Sequence, residues 1–197
     1  MEKYLTDNLA IDITFDLVLK EELLRAELIS APLTILILLF VFGTVVSASL
    51  PALSGIYTVI AAVGIIHGLT YIVDDLTVYA VNIVSLLGIG LSVDYSLFIV
   101  NRFREELGRG HDKRTAIAMT SATAGRAILF SGLTVIAGLT GMLFFENTGL
   151  PSLGWGGICA TLVALTSSVI LLPSILAILG DKINSGRVPL GLSTEVA

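Results

Sequence analysis

The chain has 197 residues, of which 55% are hydrophobic and 14% charged, with one cysteine and a formal net charge of −5. Mean hydropathy is +0.94, which excludes an ordinary soluble domain and predicts an all-α polytopic membrane bundle. A single Cys159 excludes an internal disulfide, and no Gly-rich phosphate loop, zinc-protease His pair or nucleophile elbow occurs, so neither a metal, a cofactor nor an enzymatic centre is expected.

The N-terminal stretch MEKYLTDNLAID is polar and acidic, unlike a signal peptide. Residues 12–30 read as an amphipathic helix, with Phe15, Leu19, Leu23 and Leu24 at helical spacing and Lys20, Glu21, Glu22 and Glu27 elsewhere. Such a helix leads into a membrane or lies along its surface. Five apolar spans follow, near 33–50, 52–73, 76–100, 127–145 and 153–179. Each is long enough to cross ~30 Å of hydrocarbon at about 1.5 Å per residue. Pro32 opens the first, at a helix position that tolerates proline. Leu50-Pro51 is expected to make a tight turn between the first two, and Asp74-Asp75 to cap the third. Beyond the third, Phe103, Leu107, Ala116, Ile117, Met119 and Ala122 predict a helix, a break at Gly108–Gly110, and a second helix on the membrane surface with Asp112 as N-cap. Pro151 leads into the fifth span, and Pro173 is expected to bend it or loosen its final turns.

Charge is segregated. Arg102, Arg104, Arg109, Lys113, Arg114 and Arg126 fall between the third and fourth spans, and Lys182 and Arg187 follow the fifth. The opposite connections carry Asp74, Asp75 and Glu146 and no base. The positive-inside rule therefore places 101–126 and the C-terminus in the cytoplasm and, after five crossings, the N-terminus outside the inner (cytoplasmic) membrane. That orientation, with no signal peptide, calls for a further span upstream. Bases beside spans are ordinary topology signals, so nucleic acid is not an expected partner.

Asp94 stands within the third span, where a carboxylate costs about 2.5–3.5 kcal/mol on insertion scales. A residue held there at that cost carries a proton or lines a polar path; the plainer alternative is a structural hydrogen bond to a neighbouring helix. On a helical wheel Asp94 shares a face with Ile83, Leu87, Gly90 and Asn101, and Tyr95 shares the next with Gly88, Leu91 and Arg102. Gly88 and Gly90 would let another helix approach and shield the carboxylate from lipid. In the fourth span Ser131, Thr134, Gly138 and Gly141 form a small-residue face, expected to pack on the Asp94 helix and offer it the Ser131 hydroxyl. Asn82, Ser85, Ser92 and Ser96 read as helix–helix hydrogen-bonding groups. Gly156, Ala160, Ala164 and Ser168 in the fifth span, and Gly64 and Gly68 in the second, read as packing seams. His67 and Cys159 read as structural residues and Trp155 as an interfacial anchor.

The run GIGLSVDYSLFIVNRFREELGRG, Gly88 to Gly110, closely resembles the Asp-Tyr motif of the MmpL (mycobacterial membrane protein large) family of RND transporters. RAELISAPLTILILLFVFGTVVSASLP (25–51), TAGRAILFSGLTV (123–135) and ILLPSILAILGDK (170–182) are similar, in order and spacing, to the family's second, fifth and sixth transmembrane helices. The resemblance covers about residues 20–185. It implies helices two to six of one repeat, a module also related to the sterol-sensing domain. Residues 1–30 would return from a periplasmic porter domain, 31–182 would form the transmembrane half-module, and 183–197 a cytoplasmic tail. It implies that Asp94 and Tyr95 hold the family's proton-relay positions and that Ser131 is a hydroxyl packed against them. Members export lipids and other hydrophobic compounds on the proton gradient, and a full member adds a first helix, a porter domain and a second repeat with its own Asp-Tyr pair. The expected function is the proton-coupling module of such an exporter, a transporter component rather than an enzyme, inactive alone. Its partners would be membrane lipids, protons, and a second repeat and porter domain or a second copy of itself. The alternatives are a lipid-binding or sensing module and a homo-oligomerising assembly subunit without transport.

Overall fold

In a computed structural model the described residues are 28–73, 76–145 and 149–180, together with Glu22, Arg25 and Ile183. Most of the expected helix at 12–30 and of the tail beyond 182 lies outside them. The apolar helix α1, Leu28–Phe42, ends at Gly43, whose φ of 63° is a left-handed conformation that glycine adopts at little cost. Its N–H still donates to the Leu39 carbonyl at 2.8 Å, and Thr44, in extended conformation, opens α2, Val45–Leu69. The expected turn at Leu50-Pro51 does not form, because Pro51 lies buried inside α2. Proline deletes one backbone hydrogen bond, whereas the positive φ at Gly43 stops the helix outright. Arg104 secures this corner: its Nη1 donates to the Phe42 carbonyl at 2.8 Å, and its guanidinium lies 5.9 Å from the Phe42 ring centroid.

Helix α3, Val78–Gly108, runs 31 residues and ends before Gly110, which has a φ of 86°. Asp112 then caps α4, Lys113–Thr120, as its sequence position predicts: Oδ2 accepts from the Arg114 N–H at 3.2 Å and Oδ1 from the Thr115 hydroxyl at 2.5 Å. The Thr115 hydroxyl is the main reason that the Asp112 carboxyl is held below its usual range. No separate surface helix results. α4 passes through a π turn, Ser121–Gly125, into α5, Arg126–Thr140, and a 3₁₀ turn completes one 32-residue helix, Lys113–Phe144. Helix α6, Leu150–Thr166, likewise passes through a π turn, Ser167–Leu171, into α7, Leu172–Leu179. Pro173 lies two residues beyond this turn, in the first turn of α7, where its missing N–H loosens the last span. Gly180, at φ 52°, ends α7. The chain then returns to the α1–α2 corner, where the carbonyl of buried Ile183 accepts from Ser47 Oγ at 2.9 Å and Thr44 Oγ1 at 3.3 Å.

Among the described residues four helical stretches are long and apolar enough to cross a membrane: Val45–Leu69, Tyr79–Gly108, Lys113–Phe144 and Leu150–Leu179. Leu28–Phe42 is shorter. Helices α2, α3 and α6 pack on one another and form the centre, and α5 packs chiefly on α6. At Gly156 the α6 backbone lies directly on α3: a Cβ there would sit 2.5 Å from the Ala80 carbonyl oxygen and run into Ile83. Gly156, Ala160, Ala164 and Ser168 are all buried, so the seam expected in the last span exists. The one expected at Gly64 and Gly68 does not, since a Cβ on either would meet nothing within 4 Å. Large apolar residues such as Phe40, Leu53, Ile60, Leu86, Phe130 and Ile178 face outward, as lipid-facing positions do.

Candidate functional site

Helix α3 has two unlike faces. Leu86, Gly90, Asp94, Phe98 and Asn101 form an exposed stripe, with Leu86 70% and Phe98 53% exposed. Asp94 is exposed and makes no hydrogen bond or ion pair among the described residues, so an acidic group stands in an apolar belt without a partner from them. Tyr95, turned about 100° around the helix, is 7% exposed and joins the core cluster of Ile99, Phe103, Leu165 and Leu172. Its buried hydroxyl has no hydrogen-bond partner among the described residues.

The structure does not bring the remaining expected residues to Asp94. Gly88 is a packing glycine, but toward α2 and α6, with Thr58 Cγ2 at 3.4 Å and Ala160 Cβ at 3.6 Å from an added Cβ. At Gly90 and Gly138 an added Cβ meets nothing within 4 Å. Ser131 is exposed on α5 and makes no hydrogen bond to Asp94 or Tyr95 among the described residues; Thr134 is exposed and donates to its own helix at the Phe130 carbonyl, 2.9 Å away. The reason is that α5 rests on α6 rather than on α3. Only 11% of the α4–α5 apolar window is buried, against 44% for α6–α7, so α5 is the least covered span.

The inward face of α3 carries a hydroxyl network that is only half legible in the sequence. Ser54 Oγ lies 2.9 Å from both Ser92 Oγ and Ser167 Oγ, and Thr58 donates to Ser92 at 3.0 Å. Ser92 is a predicted bonding residue; Ser54 and Thr58 on α2 and Ser167 in the π turn after α6 are not. The i,i+4 spacing of Ser54 and Thr58, matching that of Ser92 and Ser96, was the available signal.

An ionic cluster at the end of α3 also escapes the sequence reading, which treats its bases as topology signals. Glu106 is fully buried. It pairs with Arg102 at 2.5 Å, Arg109 at 3.0 Å and His111 Nδ1 at 2.9 Å, and Glu105 adds contacts to both arginines. The Arg102–Glu106 spacing of i,i+4 and the Glu106–Arg109 spacing of i,i+3 carry the signal. Among the described residues no group of three His, Cys, Asp or Glu is placed to hold a metal ion.

The sequence model of the MMPL family matches residues 10–188. The chain belongs to the MMPL family. It is 38% identical over 161 residues, 82% of its length, to the trehalose monomycolate exporter MmpL3 of Mycobacterium tuberculosis. It is 40% identical over 161 residues to the mycolic acid-containing lipids exporter MmpL11 of Mycolicibacterium smegmatis. A putative membrane protein of Streptomyces coelicolor, SCO6666, is 40% identical over 164 residues. The chain spans 17% of the length of MmpL3 and MmpL11 and 23% of the Streptomyces protein. As an MMPL member of the RND transporters with four helices long and apolar enough to span, it is a multi-pass membrane protein.

Proposed function

We propose that the chain is the proton-coupling transmembrane module of an MmpL-type exporter of lipids or other hydrophobic compounds. It would sit in the inner membrane with its basic connection and C-terminus in the cytoplasm. One observation carries the reading: Asp94 is exposed on the outer face of a membrane-spanning helix, between Leu86 and Phe98, with no partner among the described residues. A charge in that position is tolerated when another protein surface or a polar path covers it. The open space over Gly90 leaves room for that surface to approach. A second transmembrane repeat facing α3 supplies it, and Asp94 takes up a proton when the site opens to one side and releases it when it opens to the other. The switch between charged and neutral carboxyl biases a rocking of the two repeats, which moves a porter domain outside the membrane. Tyr95 follows the carboxylate in sequence and connects it to the interior of the bundle. Ser131, on the least covered helix, is available to the same partner surface. The relatives' names support lipids as cargo.

The reading predicts that Asp94→Asn in the complete exporter stops export of its lipid while the protein still inserts and accumulates normally. Export at the unaltered rate would end it. The openness of α5 at Gly138 favours one alternative, in which a second copy of this chain provides the covering surface without transport. Cysteine crosslinking at Gly138 into a homodimer in native membranes would support that reading over a covalently linked second repeat.

A further inference from the structure

The bases between 101 and 126 fall into two groups. Arg102 and Arg109 pair with Glu105 and Glu106, and Arg104 donates to the Phe42 carbonyl. Arg114 and Arg126 are exposed, and their guanidinium groups make no hydrogen bond or ion pair among the described residues. Their own stretch of chain offers them no acid, since no Asp or Glu occurs between Asp112 and Glu146.

Both arginines stand on the outward side of the continuous helix Lys113–Phe144. Ala116, Thr120, Ala124, Ile128 and Gly132, at four-residue intervals, are all buried. Offset by two residues, Arg114, Ala118, Ala122, Arg126 and Phe130 are all exposed. A four-residue repeat drifts around a 3.6-residue helix, and the wider π turn Ser121–Gly125 takes up part of that drift. Arg126 is the last charge before the hydrocarbon. Residues 127–144 continue the same helix without a charged side chain and rise roughly 27 Å, against ~30 Å for the apolar layer. A guanidinium one residue before that stretch lies at the level of the lipid phosphates. Below it Phe130 is 67% and Leu133 57% exposed, an apolar wall on the least covered span.

An unpaired cation above an exposed apolar wall is complementary to an amphiphile with a negative head. We propose that Arg126 is the headgroup contact of a phospholipid site on the outward face of α5, selective for a lipid of net negative charge. The guanidinium donates to the phosphate, with the fork geometry that suits two oxygens. An acyl chain covers Phe130 and Leu133, and Arg114, further along the same line, adds to the attraction. A zwitterionic head carries the same phosphate but brings an ammonium group to a helix with no carboxylate to receive it. The site depends on where Arg126 stands in the bilayer, not on the role proposed for Asp94.

The test uses the full chain in lipid bilayers. Trp155 is the only tryptophan, so Trp155→Phe combined with Phe130→Trp places a single fluorophore one turn from Arg126. Brominated phosphatidylglycerol or brominated phosphatidylcholine, each diluted into unbrominated phosphatidylcholine, quenches it according to how often that lipid occupies the position beside it. Phosphatidylglycerol is expected to be favoured about fivefold at low salt, the size of one Lys/Arg contribution at an anionic surface. Adding Arg126→Gln is expected to abolish the preference. Equal quenching by the two lipids would overturn the site. So would a preference that survives Arg126→Gln, which would assign the attraction to the net charge of the surface. Native mass spectrometry of the chain with both aromatic positions unaltered gives an independent readout. One phosphatidylglycerol is expected to stay bound on release from a mixed bilayer and to be lost with Arg126→Gln; equal retention of phosphatidylcholine would overturn the proposal. Neither readout measures transport, so failure of the lipid site and failure of the Asp94 reading remain distinguishable.

Discussion

Two carboxylates on α3 meet opposite fates. Glu106 is fully buried, and Arg102, Arg109 and His111 surround it. Asp94 is exposed among apolar residues with no partner in the described chain. Burial alone would rank Glu106 as the more interesting group. Its pairing with Arg102 and Arg109 instead makes it a structural clamp at the end of α3. Asp94 is the carboxylate that the described residues leave without a partner, on an apolar face of a helix long enough to span. The role proposed for Asp94 therefore rests on its missing partner among the described residues, not on its depth.

The comparison can be broken in four places, beginning with the largest effect. Glu106→Gln removes one charge from a buried ionic cluster and is expected to destabilise the fold by about 3–5 kcal/mol, whereas Asp94→Asn should leave stability unchanged or raise it slightly. Thermal unfolding in detergent distinguishes them, and a larger loss from Asp94→Asn would reverse the assignment. Gly156→Ala forces a Cβ against the α3 backbone and should cost about 1–3 kcal/mol. Gly90→Ala, on the open face, should change stability by less than about 0.5 kcal/mol, and a cost equal to that of Gly156→Ala would mean that α3 is covered on both sides. Ser54→Ala leaves Ser92 and Ser167 short of a partner and is expected to cost about 1–3 kcal/mol, while Ser131→Ala should cost nothing measurable in this chain. The smallest effect concerns Asp112. Because its folded pKa lies below the usual carboxylate value of about 3.9, its contribution is full above that value and is lost as pH falls through the lower folded one. Asp112→Asn should flatten this acid-side dependence, as followed by helicity between neutral and strongly acidic pH; an unchanged profile would assign the cap no electrostatic role.

Much of this fold is legible in the residues because a bilayer leaves few choices. A long apolar run must satisfy its backbone internally, so α2, α3, α5 and α6 follow from hydropathy. Local signals with a single reading also hold, such as Asp112 at the start of α4 and the small-residue line from Gly156 to Ser168 in the last span. Errors arise where two residues compete for one role. Leu50-Pro51 looks like a tight turn and Gly43 like an interior residue of a span, yet only the backbone conformation decides which one breaks the chain. Gly64, Gly90 and Gly138 look like packing positions, but a glycine is equally compatible with contact and with open space. The site divides in the same way. Asp94 stands out because a carboxylate is improbable inside a membrane, and Tyr95 because the pair resembles a family motif. Which of them faces outward, and that Ser131 does not reach them within this chain, depends on how α5 and α6 pack. Glu106 is hidden because a charged residue near the end of a span looks like any other topology signal.

The central claim is that Asp94 exchanges the proton that drives the exporter. The most direct measurement is proton uptake by proteoliposomes containing the complete transporter, followed with an enclosed pH-sensitive dye while lipid cargo is supplied, for the unaltered protein and for Asp94→Asn. The account predicts cargo-dependent proton movement in the first and none in the second, with equal amounts of protein in the membrane. Cargo-dependent proton movement that survives Asp94→Asn would contradict it.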